Sequence, residues 1–187
     1  MSEISAANGP QWSLEIDPQR IAWLCFDQPG ASANALSRTA MEQLAARLDE
    51  VAAAAPRGLV ITSGKPGFIA GADVREFGQV ASPEEAVPFI RAAHAILDRL
   101  EALPFPTVAA INGYCLGGGL ELALAGRHRV CVDAPKAVLG LPEVMLGIHP
   151  GFGGTVRAVR LVGVTAAMDM MLTGRNLRPD NALRLGH

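Results

Sequence analysis

A run of glycines and two glutamates are the residues of this sequence whose types and spacing could do chemistry. Ile111-Asn112-Gly113-Tyr114-Cys115-Leu116-Gly117-Gly118-Gly119-Leu120-Glu121-Leu122-Ala123 joins an apolar, strand-like stretch to a helix-like one through three consecutive glycines. A backbone without β-carbons takes positive φ and lets a ligand come close to its amides. A helix starting there leaves its first N–H groups unpaired at the positive end of its dipole, a site for an anion or an oxyanion that needs no charged side chain. Glu121 follows in the first turn of that helix, either as a partner of the dipole or as a catalytic acid or base. Glu143 follows Pro142 inside a second glycine-rich stretch, where it is either a solvated loop charge or the other half of an acid–base pair. The chain between the two acids is long enough for one pair of strands to bring both onto a shared pocket.

Other chemistries are poorly served. Gly64-Lys65 resembles the end of a phosphate-binding loop, but Pro66 stands where a Ser or Thr is needed, and the spacing of the preceding glycine is wrong. Gly151-Phe152-Gly153-Gly154 lacks the second half of a dinucleotide fingerprint. No serine sits in a Gly-x-Ser-x-Gly elbow. His94, His128, His149 and His187 show no ligand spacing, so no metal site is expected. Cys25, Cys115 and Cys131 are odd in number and far apart, which fits neither a disulfide framework nor a zinc knuckle and suits a reducing cytosol.

The elements that must position these residues alternate between strand-like and helix-like. Residues 12–16 and 20–26 read as a hairpin across Asp17-Pro18, followed by a loop at 30–35. Thr39 and Glu42 have capping-box spacing, and Met41, Leu44, Ala45, Leu48, Val51 and Ala52 recur at helical intervals up to Pro56. A buried strand at 58–63 leads through the turn Gly64-Lys65-Pro66-Gly67. Ser82-Pro83-Glu84-Glu85 opens a long helix reaching about Leu103. A strand at 106–111 feeds the glycine turn directly, the helix beginning at 119 follows, and short strands lie at 129–132 and 137–139. Two prolines and four glycines at 142–154 predict an ordered loop without regular structure. Helices are expected at 155–161 and 165–172, and 179–185 opens another that stops at Gly186-His187, as in a piece of a longer chain. No internal repeat of 20–50 residues is detectable.

With 187 residues, half of them hydrophobic, the chain can bury one sizeable core, and residues 12–187 read as one domain behind a disordered or extended segment at 1–11. A formal net charge of −2 advertises neither nucleic acid nor anionic lipid as a partner. The N-terminus has no leader-like pattern, and no apolar run reaches the ~20 residues needed to span a bilayer. These features point to small-molecule chemistry in a cytoplasmic protein.

Residues 68–77, 112–123 and, above all, Gly140-Leu141-Pro142-Glu143 through Leu146-Gly147-Ile148 to Pro150-Gly151-Phe152-Gly153-Gly154 resemble the enoyl-CoA hydratase/isomerase (crotonase) superfamily. Within it the likeness is to the N-terminal parts of multifunctional subunits of fatty-acid oxidation complexes, and it runs from about residue 12 onward. The resemblance implies an α/β fold, a crotonase-like spiral of repeated ββα units, here truncated before the C-terminal helices. Assembly into a homo-oligomer or larger complex is implied for the full-length parent, and any dehydrogenase half lies outside these residues. Carried over position by position, the backbone N–H groups of Ala72 and Gly118 form an oxyanion hole, and Glu121 and Glu143 form the acid–base pair. Ala70, Gly71 and Ala72 lie near the adenine of coenzyme A, with Arg75 and Lys65 as candidates for its phosphates. The implied reaction is hydration of 2-enoyl-CoA to 3-hydroxyacyl-CoA in β-oxidation, with coenzyme A as acyl carrier and no further cofactor. Double-bond isomerisation at the same site, or a non-catalytic acyl-CoA-binding or assembly fragment, stands as the alternative. His149 and Tyr114 match no role and are expected to pack or face solvent.

Overall fold

Short apolar segments bounded by turn residues pair first with their neighbours. β1 (Trp12–Ile16) and β2 (Ile21–Phe26) form an antiparallel hairpin that sets Trp12 opposite Phe26. Their rings stack at 4.3 Å, and the indole N–H donates to the Ala40 carbonyl at 2.9 Å. The computed structural model describes residues 9–77 and 82–186. Most of the segment expected to be disordered or extended, residues 1–8, lies outside these, as does His187. Gln11, by contrast, is buried, accepts from the Asp27 N–H and donates its own to the Gln43 side chain.

From β2 onward the chain repeats one unit: a strand of the main sheet, a short extended segment in a second layer, then a helix. The first turn is β2, Leu36 and α1 (Arg38–Ala54). The second is β3 (Gly58–Ser63), residues 69–72, α2 (Val74–Phe77) and α3 (Pro83–Glu101). The third is β4 (Thr107–Ile111), β5 (Cys115–Leu116) and α4 (Gly118–Ala125). The fourth is β6 (His128–Cys131), β7 (Leu139–Gly140) and a 3-10 helix (Pro142–Leu146). The main sheet runs β1-β2-β3-β4-β6, parallel after the first pair. In the second layer Leu36 bridges Ala72, Ile69 bridges Cys115 and β5 pairs with β7, all in parallel. This is the ββα spiral the resemblance implies. The sequence shows no repeat because successive turns share only the alternation of elements, while connector lengths and helix types differ. Helices α5 (Gly154–Val162), α6 (Val164–Thr173) and α7 (Pro179–Leu185) close the chain.

The core lies between the sheet and its helices. Met41, Leu44, Leu48 and Val51 of α1 and Leu97 and Leu100 of α3 are buried with Leu24, Leu59 and Ile61 of the strands. Each such side chain contributes about 1.5–3 kcal/mol through burial. Ala52, expected on the same stripe, is exposed.

Several local expectations need correction. The cap of α1 is Ser37, whose side chain accepts from the Ala40 N–H, because its extended backbone precedes a helix in which Thr39 already lies. Pro83 sits in the first turn of α3 as expected, yet the Ser82 side chain makes no cap hydrogen bond. The glycine turn does not follow β4 directly; β5 intervenes, too short to show any periodicity. Residues 142–154 are not wholly irregular: Pro142 opens the 3-10 helix, where its missing N–H costs nothing, and Gly147 ends it.

Candidate active site

Helix α4 is buried along its whole length, so Glu121, 2 % exposed, sits in an element with no solvated face. A carboxylate buried there needs partners, and the backbone supplies them. Glu121 Oε1 accepts from the N–H groups of Phe152 at 2.8 Å and Gly154 at 2.7 Å. Burial outweighs these two bonds, and Glu143 repels the charge further, so the carboxyl is pushed up to about 7.

The second acid reaches the same place through strand pairing. Cys115 lies beside Leu139 and Leu116 beside Gly140, and the Gly117 N–H donates to the Gly140 carbonyl at 2.9 Å. The two chains then leave in step, one into Gly117-Gly118 and Glu121, the other into Pro142 and Glu143. Glu143 is 8 % exposed, and its Oε2 is buried with no partner among the described residues. Burial raises its pKa, and the nearby His149 opposes that rise. The approach is tight: Gly117 has φ +49°, and a β-carbon on it would stand 3.0 Å from Glu143 Oε1. Only glycine combines that backbone with that clearance.

The two candidate oxyanion donors face the same space. The Leu36–Ala72 bridge uses the Gly71 carbonyl and the Asp73 N–H, which turns the Ala72 N–H away from Leu36. Gly118 is the first residue of α4, so its N–H has no intrahelical acceptor. A β-carbon on Gly118 would lie 3.2 Å from the Ala72 nitrogen, so the first residue of α4 abuts that amide. Both line a cavity of about 480 Å³, with Ala70, Gly71, Glu121, Glu143 and Phe152 in the same wall and Val74, Ala86, Ile90 and Ile148 supplying apolar surface. Among the described residues no three His, Cys, Asp or Glu side chains are grouped to hold a metal ion, and no helix is long and apolar enough to cross a membrane.

The pattern of the enoyl-CoA hydratase/isomerase family matches residues 17–187. The chain belongs to that family. It is 50 % identical over 173 residues to the fatty acid oxidation complex subunit alpha of Aliivibrio fischeri, covering 91 % of this chain and 25 % of that protein. The same subunit of Vibrio campbellii is 46 % identical over 179 residues, covering 94 % and 25 %. The chain thus spans about a quarter of the length of these relatives. Among solved structures, the enoyl-CoA hydratase of Bacillus anthracis superposes with a TM-score of 0.85 at 33 % identity, over 94 % of this chain and 67 % of that one. The enoyl-CoA hydratase of Thermoplasma volcanium GSS1 gives 0.88 at 29 % identity, over 95 % and 70 %.

Of the residues singled out from the sequence, Ala70, Gly71, Ala72, Gly118, Glu121 and Glu143 come together around one cavity of this family member. Lys65 and Arg75 are not in its wall: Lys65 pairs with Asp27 at 2.7 Å, and Arg75 forms a two-pronged pair with Asp73. Tyr114 packs over Gly67, as expected. His149 is exposed, as expected, and also lines the cavity, its Nδ1 3.0 Å from the Pro150 carbonyl. The sequence reading also missed Asn34, fully buried, whose Nδ2 donates to the Phe26 carbonyl and whose own carbonyl accepts from the Ala70 N–H. It fixes the strand that presents Ala72. An asparagine in a polar loop carries no such signal until its long-range partners are known.

Proposed function

We propose that this chain forms a 2-enoyl-CoA hydratase site of fatty-acid β-oxidation, in which Ala72 and Gly118 form the oxyanion hole and Glu121 and Glu143 the acid–base pair. The observation that carries it is the convergence of two outward-facing amides and two buried carboxylates on one largely apolar cavity. When water adds at Cβ of an enoyl thioester, negative charge collects on the carbonyl oxygen, and each preorganised amide is worth about 2.7–4 kcal/mol against it. Glu121, held through Oε1 and half ionised near pH 7, orients water through its other oxygen and takes its proton. Glu143, whose pKa burial raises, is the proton donor to Cα, through the oxygen that has no partner among the described residues.

Coenzyme A enters along residues 70–72, with its adenine near that backbone. Lys65 and Arg75 then exchange Asp27 and Asp73 for phosphate oxygens. No further cofactor takes part. In this reading the complete protein acts in the cytoplasm within a homo-oligomer or larger complex, in keeping with the relatives named as complex subunits.

Steady-state hydration of a short 2-enoyl-CoA by the complete gene product tests the assignment. Glu121→Gln and Glu143→Gln should each lower kcat/KM by about 10²–10⁴ with circular dichroism unchanged. Near-native turnover in both rejects the paired-acid mechanism. Isomerisation of a 3-enoyl-CoA, followed in the same samples, decides whether the second activity shares the site.

A further inference from the structure

The turn that grips Glu121 is itself gripped. Arg157, on α5, has a side chain only 8 % exposed, and its guanidinium reaches three groups on two elements. Nη1 donates to the Phe152 carbonyl at 3.1 Å, Nε to Glu101 at 2.8 Å and Nη2 to Asp98 at 2.5 Å, the two acids both on α3. Gly153, at φ +99°, completes the fit, since a β-carbon there would collide with Nη1. The guanidinium therefore lies directly against the peptide run that donates to Glu121 Oε1 on either side of Gly153. Its planar fork is what lets one side chain hold a carbonyl and two carboxylates at once.

Resting on the assignment of Glu121 as the base, we propose that Arg157 is a positioning residue: it ties residues 152–154 to α3 and so sets where their amides hold Glu121. Apart from this tie, the described side-chain bond from α3 to the same loop is His94 Nε2 to the Gly151 carbonyl. The charged groups around Glu121 are Glu143 from the 3-10 helix and Arg157 from α5. Asp98 and Glu101 of α3 pair with Arg157, His94 of α3 meets the Gly151 carbonyl, Arg160 lies 4.0 Å from Glu101, and His149 shares the cavity wall. Loss of Arg157 removes a nearby cation and slackens two donors, and both changes disfavour the Glu121 carboxylate. A lysine keeps the charge but not the fork.

The test is the pH dependence of kcat for hydration of a short 2-enoyl-CoA by the complete gene product. Arg157→Gln should lower kcat by about tenfold to a hundredfold with little change in KM. Its acid limb should move to higher pH by about one unit. Arg157→Lys should restore part of that shift, and Arg160→Ala should behave as wild type. If Arg157→Gln does not fold, Asp98→Asn, which frees one arm of the clamp, should move the limb the same way by less. An unmoved limb in Arg157→Gln or Asp98→Asn, or an equal shift in Arg160→Ala, overturns the clamp while an inactive Glu121→Gln leaves the base assignment standing. Undiminished turnover by Glu121→Gln overturns both.

Discussion

At the scale of single residues, two buried carboxyl groups sit where ionisation is disfavoured. Glu121, raised from 4.5 to about 7, carries a consequence for stability that can be checked without substrate. A group whose folded pKa is raised contributes stability that is fully present below its unfolded value near 4.5 and is lost as pH rises through about 7. Ionising Glu121 in the folded protein thus costs about 3 kcal/mol at most above that range. A glutamine in its place would not titrate and would keep an oxygen for the two amides. Glu121→Gln should therefore be more stable than wild type at pH 8, by about 1–3 kcal/mol in urea melts, with the gain vanishing near pH 4.5. A difference that does not vary with pH would mean that Glu121 titrates normally.

At the scale of elements, the site depends on how closely α4 packs under the second layer. A β-carbon on Gly119 would stand 2.6 Å from the Ile69 carbonyl oxygen, a backbone atom that cannot rotate away. Gly119→Ala should cost about 1–3 kcal/mol in denaturant melts and lower the proposed hydration, because residues 69–72 carry one of the two proposed oxyanion amides. Retention of full stability would show that the layer yields more easily than its hydrogen bonds suggest. The same closeness explains what was legible beforehand. Glycines and acids announce themselves by type, and the long amphipathic runs of α1 and α3 by spacing. Strand β5 has two residues and no period, and the 3-10 helix hides among breakers. Arg157, Asn34 and the amides of Phe152 and Gly154 act through partners far away in sequence, so their importance rests on contacts that no local pattern encodes.

At the scale of the whole molecule, the 3-10 helix and α6 pack together and leave an apolar face uncovered. Met145, Leu146, Val164 and Leu172 are each between 62 % and 74 % exposed, values at which such side chains are mostly in water. Exposed apolar side chains gathered on two packed elements favour association. The 187-residue chain on its own should self-associate and bind an apolar dye, and the double change Met145→Ser, Leu172→Ser should weaken both, as read by light scattering and dye fluorescence. Monodisperse wild-type monomer without dye binding would show that this face is tolerated by water.

The pairing of β5 with β7 has one further consequence. Because four residues in two facing rungs fix where both acids emerge, the distance between Glu121 and Glu143 is independent of how the chain travels from one strand to the other. Evolution is free to lengthen, shorten or decorate the excursion between Cys131 and Leu139. A single residue inserted between Gly140 and Glu143 would swing the second acid off target.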